Sequence, residues 1–136
     1  DTPDDASIRE ILDAHPFPIP CLSDSSSMPT ELRTDAYPSL HLYNLFAGNR
    51  TDLPGSHKYQ GEWSRLDQII LSSSLADTAS RMQVIPGSGR IFSPPFLLIK
   101  DKTWRGERPF RTYYGFKYEG GYSDHLPLLV DFLLLK

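Results

Sequence analysis

The chain has 136 residues and a formal net charge of −3, the size of one domain. At 39% hydrophobic and 23% charged residues it carries enough apolar material for a core, which excludes a disordered tail. It also lacks the strongly basic balance of a nucleic-acid surface. Its single cysteine, Cys21, excludes an internal disulfide framework and a multi-cysteine metal site. No apolar run reaches the roughly 18 residues of a membrane-spanning helix. The chain opens Asp1-Thr2-Pro3-Asp4-Asp5, without Met or signal peptide, and reads as a processed product or fragment, which leaves the parent protein's cellular address open.

The elements follow in order. Ile8, Ile11 and Leu12 recur at i, i+3, i+4, and Ser7 with Glu10 has capping-box spacing, which predicts a short helix over 6–14. Pro16, Pro18 and Pro20 stop it, and 15–36 reads as a long irregular loop. Leu40, Tyr43, Leu45 and Phe46 predict a second short helix after Pro38, ended by Gly48 and Asn49. Asn49-Arg50-Thr51 is a glycosylation sequon, meaningful only in a secreted eukaryotic protein. Ser64–Ser72 alternates apolar positions on both faces and predicts a central strand. Met82–Ile85 predicts another strand, followed by turn chemistry in Pro86-Gly87-Ser88-Gly89. Phe96–Ile99 after Pro94-Pro95 suits a short helix, and the apolar run Leu126–Leu135 predicts a buried final strand. No repeat and no domain boundary interrupts residues 1–136; they form one α/β layered unit.

Chemistry concentrates at Asp124-His125, after Gly120-Gly121 and before the final strand. A loop entering a sheet can present both side chains into a cleft while the strand behind holds them. A carboxylate beside an imidazole suits cation binding, proton transfer or contact with a phosphoryl oxygen. Asp67 lies far upstream in the other apolar strand. A carboxylate there needs a partner, and an imidazole is a good one. Spacing alone also fits a turn carrying solvated charges.

Two motifs narrow this. Trp63-Ser64-Arg65-Leu66-Asp67-Gln68-Ile69-Ile70-Leu71-Ser72 and Ser123-Asp124-His125-Leu126-Pro127 resemble, in order and separation, the Arg-x-Asp strand and the closing Ser-Asp-His strand of the endonuclease/exonuclease/phosphatase superfamily. Lys58-Tyr59-Gln60-Gly61-Glu62-Trp63 and Pro109-Phe110-Arg111-Thr112-Tyr113 are similar to a bacterial branch of it. The resemblance implies a four-layer α/β sandwich, of which this chain is the C-terminal half: mainly antiparallel sheet with flanking short helices. It implies that His125 contacts the scissile phosphate and moves a proton, that Asp67 orients His125, and that Asp124 sits at the metal. The metal would be magnesium or manganese, with most ligands outside this chain, and the substrate a phosphoester of undetermined class. The family's Asn, Glu and Gly-Asp-x-Asn motifs do not occur here. The fragment is therefore expected to be inactive alone and to associate with the N-terminal half of the fold or with itself. The alternative is a non-catalytic binding module on the same fold.

The remaining candidates are weaker. Arg111 is a candidate phosphate contact or a structural ion pair. His57, read as lying in a turn, is a candidate on the substrate side. His15 and His41, read as lying in or beside helices, suit packing or exposure. Trp63, Tyr59, Tyr113, Tyr114 and Tyr122 suit core or cleft-rim packing.

Overall fold

A computed structural model describes residues 1–17, 41–48 and 55–136. Apolar stretches in this chain are short and repeatedly cut by Pro and Gly, and they fold into short strands rather than long helices. The result is an α+β fold, mostly strands in small sheets with few short helices. Cys21, the sequon at Asn49 and the rest of the expected loop beyond Phe17 lie outside the described residues.

The first sheet joins β1 (Ala14–Pro16), β2 (Leu42–Asn44) and β5 (Ile70–Ser72). β1 runs parallel to β2, with Ala14 opposite Leu42, and β2 runs antiparallel to β5. Here the expected second helix is corrected to a strand. Four apolar positions at helical spacing are too few to nucleate a helix against ladder pairing on both sides of Tyr43. The backbone N–H of Leu45 continues the pairing by donating to the Ile69 carbonyl at 3.0 Å. The first helix shrinks to one wide π-type turn, Ser7–Ile11, with no buried residue. Ser7 does not cap it; its hydroxyl donates to Asp1 Oδ2 at 2.7 Å instead.

The expected central strand over 64–72 divides. Residues 62–64 form β4 and 70–72 form β5, while 65–68 cross between two sheets and Ile69 joins the second through its carbonyl. β5 is an edge of its sheet among the described residues and leads into a helical turn, α1 (Ser73–Ala76). β4 (Glu62–Ser64) pairs with β3 (His57–Tyr59) in a hairpin. Its two turn residues, Gln60 (φ 49°) and Gly61 (φ 92°), are both left-handed, the geometry that matches the twist of a two-residue hairpin.

β6 (Met82–Val84) and the turn at Pro86-Gly87 follow the sequence reading, and β7 (Arg90–Ile91) adds a short strand that it did not include. The expected helix over 96–99 is a single 3-10 turn, Pro95–Leu97, after which the chain extends into β8 (Leu98–Lys100), antiparallel to β9 (Glu107–Pro109). A small hairpin, β10 (Tyr113–Tyr114) and β11 (Lys117–Tyr118), precedes the Ser-Asp-His loop. The final strand is broken: β12 (Leu128–Leu129) pairs with β7, and β13 (Phe132–Leu134) pairs with β6. Asp131 sits at the break and forms a paired ion bridge with Arg90 at 2.7 Å. This segment is not buried throughout; Leu134 is 72% exposed.

The core lies between the β1-β2-β5 sheet and the β6–β13 and β7–β12 ladders. Leu45, Phe46, Leu71 and Val84 form its buried centre, with Ile69, Ile91, Leu128, Val130 and Phe132 against it. Phe46 is wholly buried, worth roughly 2–3 kcal/mol of transfer free energy. Arg65 closes the core edge by donating to the carbonyls of Phe46 and Gly48 at 3.2 and 3.3 Å. Arg65 thus fixes the segment that carries Asp67 directly to the core.

Candidate active site

Three backbone segments converge on one spot. β3 carries His57, the linker after β4 carries Asp67, and the Ser-Asp-His loop carries Asp124 and His125. His57 pairs with His125 through an antiparallel bridge, and the Leu126 N–H donates to the Ser56 carbonyl at 2.8 Å. β3 is therefore the middle strand between the two motif segments. This corrects the reading of His57 as a turn residue; it is a strand residue whose side chain meets the site.

The loop is fixed by its neighbour segment 110–112. Tyr122 N–H donates to the Phe110 carbonyl and Gly121 N–H to the Arg111 carbonyl. The Thr112 hydroxyl lies within 3.1 Å of the Gly121 carbonyl and 3.0 Å of that of Tyr122. At position 121 a Cβ would stand 2.1 Å from the Phe110 carbonyl oxygen, so only glycine permits this approach. Ser123 then turns the chain, its hydroxyl accepting the His125 N–H at 3.0 Å.

The centre of the cluster is the contact between His125 Nδ1 and Asp67 Oδ2, at 2.7 Å. Ser56 donates its hydroxyl to the same carboxylate oxygen. Burial pushes the Asp67 carboxyl up, but the hydrogen bonds from Ser56 and His125 outweigh it and hold it below its ordinary value. An ionised carboxylate can only accept, so Nδ1 carries a proton, and in the neutral ring this places the lone pair on Nε2. The arrangement is an oriented imidazole with a free basic nitrogen. Its side chains are about one-third exposed (36% and 38%), so a ligand can reach them.

His57 lies against His125 with ring centroids 4.7 Å apart. Burial and the adjacent His125 lower its pKa below the ordinary value. Its Nδ1 is buried and has no hydrogen-bond partner among the described residues, and the same holds for Arg111 Nε. Arg111 reaches the Lys58 carbonyl at 3.5 Å and covers the Tyr114 ring at 5.3 Å. It lies close enough to His57 to help lower that pKa. No acidic side chain pairs with it among the described ion pairs.

Asp124, His57 and His125 offer ligand atoms within 4.8 Å of one another. This set of one carboxylate and two imidazoles suits magnesium at one position only, through Asp124, since magnesium takes oxygen ligands.

Behind the site, Lys58 points away from His57 into the protein. Its ammonium donates to the carbonyls of Arg105 and Glu107 at 2.7 and 3.1 Å and faces Asp101 at 3.4 Å, with both side chains buried. Asp101 also accepts the N–H groups of Thr103 and Trp104. This anchor ties β3 to the β8–β9 loop.

The structure brings Asp67, Asp124, His125 and His57 together and sets Arg111 beside them. Tyr122 packs by its edge on Phe96 and Phe110, outside the dyad. Ser56 and Lys58 escaped the sequence reading. A buried Lys has no sequence signature until its partner is located, but Gln-Gly between two alternating segments was a legible hairpin signal.

A family model described as endonuclease/exonuclease/phosphatase family matches residues 23–133. No curated protein and no solved structure matches the chain.

Proposed function

The chain belongs to the endonuclease/exonuclease/phosphatase family, and from that premise we propose that it supplies the Asp/His part of a centre for divalent-metal-dependent phosphoester hydrolysis. The observation that carries the proposal is the 2.7 Å contact between Asp67 and His125 Nδ1, with Ser56 on the same carboxylate oxygen. In this reading Asp67 holds the imidazole orientation and stabilises the imidazolium. His125 Nε2 takes a proton from the attacking water and, as the imidazolium, donates a hydrogen bond to a phosphoryl oxygen. His57 and Arg111 serve the substrate side: His57 lies against His125 with ring centroids 4.7 Å apart, Arg111 has no acidic partner among the described ion pairs, and a guanidinium is a good donor for a phosphate.

The divalent ion, magnesium or manganese, supplies charge neutralisation at the transferring phosphoryl group. Asp124 would contribute one oxygen ligand. The two imidazoles are poor company for magnesium, so its remaining oxygen ligands would have to be supplied from outside these three side chains. For the same reason this chain alone is inactive. The fold context is the C-terminal half of a four-layer sandwich, whose other half would cover apolar side chains such as Leu134. The net charge of −3 favours a small or lipid phosphoester over a nucleic acid.

The test is a panel of phosphomonoesters and phosphodiesters, offered with magnesium to the full-length protein and its His125→Gln variant. Loss of about 100-fold or more in kcat on the preferred substrate is expected. Unchanged turnover in the variant, or no phosphoester activity in a folded full-length protein, favours the alternative of a binding module.

A further inference from the structure

A second convergence of ligand-type side chains lies on the first sheet, on elements separate from the Asp67–His125 centre. Asp13 Oδ1 stands 3.1 Å from His15 Nε2, and the His15 and His41 rings meet edge to face at 5.9 Å. The three offer ligand atoms within 4.8 Å of one another.

Backbone register builds this cluster. β1 and β2 are parallel with Ala14 opposite Leu42, so Asp13 and His41 fall together just ahead of the paired register, and the left-handed backbone of Asp13 (φ 51°) leads its carboxylate to His15. Buried Ala14 fixes the pairing. His41 is fixed separately, because its carbonyl accepts the Ser73 N–H at 2.9 Å. The cluster is open to solvent on the Asp13 and His15 side, where the two side chains are 68% and 54% exposed.

We propose that Asp13, His15 and His41 form a transition-metal site of the zinc class. Two imidazoles with one carboxylate are the donor set of zinc, and also of nickel or copper; magnesium and calcium prefer oxygen alone. Three protein ligands leave the fourth tetrahedral position for water, consistent with side chains 54% and 68% exposed at His15 and Asp13. The ion would act as a staple. Asp13 and His15 stand on one side of residues 16–40 and His41 on the other, so an ion held between them joins two distant parts of the chain and adds its binding free energy to folding. It would also fix β2, and through the β2–β5 ladder the strand that follows Asp67.

The test is zinc titration by calorimetry, in magnesium-containing buffer, on the D124N/H125Q chain, where the other ligand cluster is disabled. Expected is retention of one zinc per chain, weakened at least about 10-fold by His15→Gln or His41→Gln. Cobalt substitution in the otherwise unaltered chain reads the same site without that background. Visible bands of a tetrahedral ion should appear, and His15→Gln should diminish them. Both histidine positions are accessible, so metal-free H15Q should unfold at the same temperature as the unaltered chain. Zinc should raise the Tm of the unaltered chain by several degrees more than that of H15Q. Absence of zinc binding in D124N/H125Q together with cobalt bands insensitive to H15Q would overturn the proposal. So would equal zinc affinity and equal zinc-induced Tm shift with and without His15 and His41.

Discussion

Lys58→Met is the most informative perturbation of the scaffold behind the site. It retains most of the apolar stem and removes the ammonium. Lys58 and Asp101 are 3% and 5% exposed, so solvent cannot replace the lost partner. Asp101 would remain ionised and buried, holding only the N–H groups of Thr103 and Trp104, and the carbonyls of Arg105 and Glu107 would lose their donor. Breaking one side of a buried pair costs about 3–5 kcal/mol. The two remaining N–H bonds to Asp101 put this case near the lower figure. For a chain of this length that is a fall in Tm of roughly 10–15 °C. The double variant Lys58→Met/Asp101→Asn should recover part of the loss, because the stranded charge is gone. The assay is thermal unfolding by circular dichroism of the single and double variants. A Lys58→Met Tm within about 3 °C of the unaltered chain, or a double variant no better than the single, would refute the claim that this pair anchors β3.

Further outcomes follow from the same contacts. Gly121→Ala should misplace the Ser-Asp-His loop or unfold it, because its Cβ would meet the Phe110 carbonyl at 2.1 Å; limited proteolysis should cut the variant near residues 118–123 where the unaltered chain resists. Stability should decline in two stages as pH falls. His57 has a folded-state pKa below its ordinary 6.5, so the unfolded chain takes up the proton first and stability drops as pH falls below 6.5. Asp67 and Asp101 are held below their ordinary 3.8; the stability they give is present above 3.8 and is lost as pH falls through their folded values. Urea unfolding from pH 8 to pH 3 reads both stages, and His57→Gln should flatten the first. Arg111→Met should raise KM for a phosphoester more than it lowers kcat, if the guanidinium holds the ground-state phosphate.

The Asp67–His125 contact was more legible than the elements around it. Asp67 and His125 could be paired from two motifs because the resemblance points to both residues directly, and the structure holds them 2.7 Å apart. The strands were harder. Leu40, Tyr43, Leu45 and Phe46 fit a helix by spacing, yet β1 and β5 claim that segment from both sides, and neither neighbour is visible in local pattern. The apolar run Leu126–Leu135 read as one strand, whereas Asp131 breaks it to pair with Arg90. Ser56 and Lys58 were invisible for a related reason: each matters through a partner distant in sequence, Asp67 for one and Asp101 for the other.

The most direct test of Asp67 and His125 as one catalytic unit is a double-mutant cycle on kcat with magnesium in the full-length protein. Asp67→Asn alone should cost about 10²–10⁴ in kcat, within the range of a lost or misoriented proton-transfer group. Because Asp67 is proposed to act through His125, adding it to His125→Gln should cost almost nothing more. Losses that multiply in the double variant, or an Asp67→Asn enzyme within about threefold of the unaltered one, would contradict that pairing.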